Sequence, residues 1–297
     1  MSAYETSLNE RCRFLHLRPH SDLPVTIDQL RQGVATLTST DQWTRWLRVQ
    51  RRFHHYSWGN SVLILMQRPD ATRVAGYHTW KAVGRQVRKG EHGIAILAPI
   101  VRRVRVEDED EDGTGRAIVG HPTAFRLARV FDIAQTDGEA LPEVVSRLTG
   151  DDAGSRFAGL VKVAATLGYS VEVSELPGER NGDCTFELKR IRVREGLEPA
   201  QSVKTLAHEL AHAILHNEAD CTGLTRAVAE LEAESVAFVV CDDLGLDSSA
   251  YSFGYIVTWT GCGDAADKAI GASAQRINTA ARTILEQLEG EAEDVPA

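Results

Sequence analysis

Paired cysteines are missing from this sequence. Cys12, Cys184, Cys221, Cys241 and Cys262 are odd in number and widely spaced, and no two form a Cys-x-x-Cys pair. That argues against a disulfide framework and against a thiolate zinc cluster, and leaves the thiols as reduced packing residues. Long apolar runs are missing as well. None approaches the roughly 18 consecutive residues of a membrane span, so no membrane partner is expected. The start, MSAYETSLNERCRF, has neither the basic opening nor the apolar stretch of a secretory signal. The expectation is a soluble, cytoplasmic protein. No internal repeat is present, and low complexity is confined to one acidic run and the tail EGEAEDVPA.

What is there suits two domains of ordinary size: 297 residues, 43% of them hydrophobic. The net charge of −9 hides an asymmetry. From Asp41 to Arg105 there are 13 Lys and Arg against three Asp and Glu, whereas from Leu141 onward 13 basic residues face 26 acids. A basic first part can meet a polyanion; the acidic second part is poorly suited to one.

Residues 1 to about 24 are polar and irregular. Ile27, Leu30, Val34 and Leu37 then recur at helical steps. Thr40-Asp41 reads as a second helix start, with Trp43, Trp46, Leu47 and Phe53 as its apolar face and Arg45, Arg48, Arg51 and Arg52 among them. A third helix covers Trp58 to Met66. From Gly93 the texture turns to strands: GIAILAPI and VRRVRV, divided by the proline, and a returning FRLARVFDI. The six acids Glu107 to Asp112 read as a solvated hairpin tip. Further on, Ser155 to Leu167 is helical in pattern, YSVEVSEL, CTFEL and RIRV are strands, and helices follow at about 199–215, 225–241 and 265–288. The fold class is α+β: N-terminal helices with a small antiparallel sheet over 1–138, a linker at 139–154, and a mostly helical domain with a small sheet over 155–297.

The chemistry concentrates in SVKTLAHELAHAILH. His208 and His212 are four apart, so on a helix both imidazoles lie on one face and reach one metal ion. Glu209 follows the first histidine, where a carboxylate can take a proton from a water activated by the metal, as general base. Val203, Leu206, Leu210, Ile214 and Leu215 bury this helix, and polar groups on a buried helix need a partner or a ligand. A catalytic zinc needs a third protein ligand and an open fourth position. The helix containing Ala229-Glu230-Leu231-Glu232-Ala233-Glu234 offers acids. Glu230 and Glu234 share a face and Glu232 points elsewhere. The preferred assignment is Glu230 as ligand and Glu234 as acceptor for a ligand imidazole. His216 suits a capping or packing role near the helix end. Asp220 and Cys221 are rival ligands of lower rank, and Tyr251 and Tyr255 are candidates for oxyanion stabilisation, with core packing the first role for either.

At HELAHAILH and ELEAESVAF, over roughly residues 155 to 245, the sequence resembles the ImmA/IrrE family of zincin-like metallopeptidases. The resemblance implies Zn2+, with His208, His212 and Glu230 as ligands and Glu209 as the catalytic residue; Glu234 stands where the family often has Asn, which leaves it a rival for the ligand role. Phe53 to Asn60, GYHTWK (76–81), GRQVRKGE (84–91) and VFDIAQT (130–136) resemble the N-terminal domain of ArdC-type antirestriction proteins, which implies binding of single-stranded DNA. Arg85, Arg88 and Lys89, close together in an expected turn, are the candidates for phosphate contact, and interleaved aromatics could stack on bases, although Trp43, Trp46 and Trp80 equally suit a core. Three functions follow from these resemblances. The first is a zinc metallopeptidase, with an unidentified protein substrate, fused to a single-stranded-DNA-binding domain in an antirestriction role on a mobile element. The second is a DNA-protecting protein with a non-catalytic metal site. The third is an ImmA-like protease acting on a DNA-bound repressor.

Overall fold

A computed structural model describes residues 23–37, 39–105, 117–139, 153–217, 224–246 and 264–293. The acidic run, Asp220, Cys221, Tyr251, Tyr255 and nearly all of the expected linker lie outside these residues. The chain divides by its contacts into two units: Val62–Glu139 with the described part of Met1–Gly33, and Val34–Ser61 with the described part of Ala140–Ala297. By these contacts Val34–Ser61 groups with the second half of the chain. The basic stretch is thereby shared between both units.

In the first unit, helix α1 (Leu23–Thr36) and helix α3 (Trp58–Gln67) each begin or end across that division. Val62, Leu63, Ile64 and Leu65 of α3 are buried. Strands β1 (Val74–Gly76), β3 (Ile94–Arg105) and β4 (Ala117–Asp132) form an antiparallel sheet in the order β1-β4-β3. The expected break at Pro99 does not divide β3. Proline lacks a donor, but on an edge strand that donor is dispensable, and two register irregularities, at Ile100/Val101 and Val101/Arg103, follow it. The Gln67 amide pairs with both backbone groups of Ala95 at 2.9 Å each and ties α3 to the sheet. A short helix α4 (Tyr77–Ala82), absent from the sequence reading, is anchored by Trp80, whose Nε1 donates to the Phe131 carbonyl at 2.8 Å. Strands β2 (Arg85–Val87) and β5 (Thr136–Gly138) pair as a separate ribbon. Buried Asp132 accepts from the backbone of Thr72, Arg73 and Ala134, and Gln135 closes a capping box with it. The VFDIAQT stretch therefore serves the architecture of this unit.

In the second unit, helix α2 (Thr40–Arg52) is capped by Ser39 and buries Trp43 and Trp46 completely. The Trp43 indole donates to Ser235 Oγ at 3.0 Å, and that of Trp46 to Ser61 Oγ at 2.9 Å. Both tryptophans are core residues. Helix α5 (Ala153–Thr166) precedes a sheet of β6 (Ser170–Ser174), β7 (Gly182–Thr185) and β8 (Arg190–Arg194) in the order β6-β8-β7, with β6 parallel and β7 antiparallel to β8. Helix α6 (Pro199–Leu215) starts on a proline, whose missing N–H is harmless in a first turn. Its Val203, Leu206, Ala207, Leu210 and Ala211 are fully buried. Helix α7 (Arg226–Asp243) is capped by Thr225, and helix α8 (Asp264–Glu293) buries Ile270, Ile277, Ile284 and Leu288 along one stripe. Among the described residues no helix is long and apolar enough to cross a membrane.

Candidate metal centre

Helices α6 and α7 bring three ligand-type atoms together. His208 Nε2 and His212 Nε2 lie 3.1 Å apart, and Glu230 Oε2 stands 3.4 Å from the first and 3.7 Å from the second. This is the spread of donors grouped around one ion. The opposite ring nitrogens are already engaged. His208 Nδ1 meets Glu234 Oε2 at 3.2 Å, and Glu234 in turn pairs with Lys204 at 3.0 Å. His212 Nδ1 meets His216 Nδ1 at 2.9 Å, and His216 Nε2 meets Glu232 Oε2 at 3.2 Å. Carboxylates only accept. The tautomers assigned from these networks therefore put protons on His208 Nδ1, His216 Nε2 and His212 Nδ1, and leave a lone pair on both facing Nε2 atoms. The donor set of two imidazoles and a carboxylate fits a divalent metal ion.

The electrostatics agree with a site built for positive charge. Burial disfavours a charged His208, yet the bonds to Glu230 and Glu234 outweigh it and raise the imidazole to about 9. Burial lowers His212 against the opposing pull of Glu230. The bonds from His208 and then His212 hold Glu230 well below the usual carboxylate range.

Glu209 is 8% exposed, and burial pushes its carboxyl up to about 7, with His208 opposing. A buried carboxyl near neutrality suits proton transfer at ordinary pH. It lies against β7: a Cβ built on Gly182 would come within 2.8 Å of Glu209 Oε1 and 2.7 Å of Thr205 Cγ2. A side chain at this position would force Glu209 or Thr205 to shift. Gly182→Ala is expected to keep the metal but lower turnover by ~10²-fold, the scale of an ångström's misplacement. Metal analysis beside a turnover assay checks this; unchanged turnover would show that Glu209 has room to spare.

These residues line a cavity of about 700 Å³ together with Arg180, Lys204 and Arg226. Cys184 also lines it, and burial, then Glu209 and Asp183, push its thiol up to about 12.

Two positioning groups escaped the sequence reading. Glu232 is completely buried and is also bonded to Ser273 and Arg276 of α8. Burial opposes its charge, and His216, Arg276 and Ser273 together more than offset that. His216 does cap α6, its N–H bonding the His212 carbonyl at 2.9 Å. Its ring additionally links His212 to Glu232. The sequence signal was there in part: an acid flanked by Leu231, Ala233 and Ser235 on a buried helix requires a buried partner.

The three residues singled out for phosphate contact differ. Arg85 is taken up by Thr136 Oγ1 at 2.8 Å and by the carbonyls of Thr136, Gly138 and Glu139. Arg88 bonds Glu91 at 2.7 Å and the Ala134 carbonyl at 2.6 Å. Lys89 is exposed.

Residues 26–131 match the family model for the N-terminal domain of anti-restriction factor ArdC. Residues 167–243 match that of the IrrE N-terminal-like domain, a peptidase family. An uncharacterized protein of Bacillus anthracis is 27% identical over 246 residues, which make up 70% of this chain and 41% of that protein. This chain therefore spans about two fifths of that relative's length. The Mn(II)-bound crystal structure of the antirestriction ArdC protein from plasmid R388 superposes with a TM-score of 0.52 at 20% identity, over 90% of this chain and 99% of that one. The metal-free structure of the same protein gives 0.47 at 23% identity, over 78% and 85%. The likeness to the metal-bound form carries the α+β fold.

Proposed function

We propose, on the premise that this chain is an ArdC-type protein joining an ArdC N-terminal domain to an IrrE N-terminal-like domain, that it is a zinc-dependent peptidase fused to a single-stranded-DNA-binding domain and acts in antirestriction. The observation that carries the peptidase reading is the convergence of two free Nε2 lone pairs and Glu230 on one point, with Glu209 on the same helix. A merely structural metal site has no use for such a buried carboxyl. When bound, a zinc ion supplies a Lewis acid and lowers the pKa of water. His208, His212 and Glu230 hold it. Glu234 and His216 fix the imidazoles from behind. Glu209 accepts a proton at its carboxylate and returns it to the leaving amine. β7 is an edge strand of its sheet, and its residues line the cavity, so an extended peptide can add to it as a further strand. The substrate class is thus an unfolded or extended segment of a protein. The test is a peptide-library digest with metal-loaded protein, with and without a single-stranded oligonucleotide. Cleavage abolished by a chelator and restored by zinc supports the reading; no cleavage under either condition favours a DNA-binding protein with an inert metal centre.

For the DNA, the charge of the N-terminal domain and its family support binding, and exposed Lys89 is the first residue to test for phosphate contact. Lys89→Ala is expected to lower the slope of log affinity against log salt by about 0.7, one phosphate contact on a single strand. Arg85→Ala is expected to lower the melting temperature instead, because its guanidinium joins β2 to β5. Anisotropy titrations of a labelled oligonucleotide at several salt concentrations decide it. An unchanged slope in Lys89→Ala removes that residue from the interface.

A further inference from the structure

We propose a second divalent-metal site, formed by His54, His55 and Glu289, where the turn after α2 meets α8. Their donor atoms lie within 4.8 Å of one another. His54 is the built part, its side chain 9% exposed. Its Nδ1 is 3.0 Å from the Arg51 carbonyl oxygen, which can only accept, so Nδ1 carries a proton. In the neutral ring Nε2 is then left with its lone pair. That Nε2 is buried, has no hydrogen-bond partner, and faces Glu289 Oε1 at 3.5 Å. A lone pair aimed at a carboxylate oxygen is repulsive unless a positive charge lies between them. The separation is long for a shared proton but matches the ~3.4 Å between two ligands of a tetrahedral ion with bonds of about 2.1 Å.

The neighbours complete the arrangement. The His55 ring lies 3.9 Å from that of His54, and its Nε2 is 3.9 Å from Glu289 Oε2. Glu286, three residues before Glu289 on the same face of α8, is 3.5 Å from His55 Nδ1 and is shared with Arg282. The nearby Arg51 is engaged by Asp242 at 2.7 Å. Two imidazoles with one carboxylate, and a second close by, suit zinc, cobalt or nickel rather than magnesium or calcium. An ion here clips the segment after α2 to α8, a structural task separate from the centre on α6 and α7.

The test uses the full chain carrying His208→Ala and His212→Ala, titrated with Co2+ and with Zn2+. The expected result is one equivalent bound, a visible cobalt spectrum of tetrahedral nitrogen–oxygen type, and a melting temperature that rises with zinc. Adding Glu289→Gln, at an exposed position, should weaken binding by at least about tenfold without altering the metal-free melting temperature. Adding His54→Gln should weaken binding likewise, with its zinc-dependent rise in melting temperature read against its own metal-free value. If the double-alanine chain does not fold, wild-type stoichiometry decides: two equivalents, falling to one in Glu289→Gln. Absence of the second equivalent, or its persistence in both added variants, overturns the proposal and leaves a His54–Glu289 ion pair.

Discussion

Glu209→Gln is expected to retain the metal and the fold and to lose peptidase turnover by about 10²–10⁴-fold. The amide fills nearly the same volume between α6 and Gly182, so packing is kept. It cannot accept a proton. Burial raises the carboxyl to about 7, which suits a group that accepts a proton and then returns it. Metal content by elemental analysis and turnover on a cleaved peptide check the prediction together. Loss of metal in this variant would mean that Glu209 is a ligand. Undiminished turnover would remove it from the chemistry. The same variant separates two roles in cells. If protection of DNA survives Glu209→Gln, the N-terminal domain carries protection by itself; if protection is lost while DNA binding persists, cleavage is the effective step.

The second large effect is His208→Ala. It removes a donor from the centre and leaves Glu234 and Lys204 paired without the imidazole between them and the site. Affinity for zinc should fall by more than the about 10- to 100-fold that loss of an outer partner costs. A ligand at 1,000 times its dissociation constant stabilises the native state by about 4 kcal/mol. Wild-type protein should therefore melt well above the variant when zinc is present, and the two should converge when it is chelated. Equal zinc-dependent stabilisation in both would reject this centre.

The parts of the site most legible in the sequence lie within one helix. The run from Pro199 to Leu215 has a proline where a helix tolerates it, no interior glycine, and apolar residues at helical steps, so its bounds and the shared face of His208 and His212 follow from periodicity alone. Glu230 and Glu234 are similar: four residues apart, they must share a face, and the structure puts one beside the two Nε2 atoms and the other on His208 Nδ1. What periodicity does not encode is which elements meet. Arg276 lies 44 residues from Glu232, and nothing local in either helix marks the pair. Gly182 looks like a turn glycine beside Asn181, while its role depends on how closely β7 approaches Glu209. The partners of Arg85 and Arg88 are hidden from the sequence for a related reason. In the sequence they form a basic cluster, but carbonyls brought in by β5 and the turn before it take up their donors. The bond from buried Trp43 to Ser235, 192 residues away, is likewise one that no local pattern in α2 encodes.

The most direct test of the metal centre is anomalous diffraction from crystals of zinc-loaded protein, recorded on both sides of the zinc edge. The account predicts an ion held by His208 Nε2, His212 Nε2 and a Glu230 oxygen, with Glu234 on His208 Nδ1 and His216 on His212 Nδ1. An ion bound by Glu234 with Glu230 turned away, or no ion between α6 and α7 at saturating zinc, would contradict it.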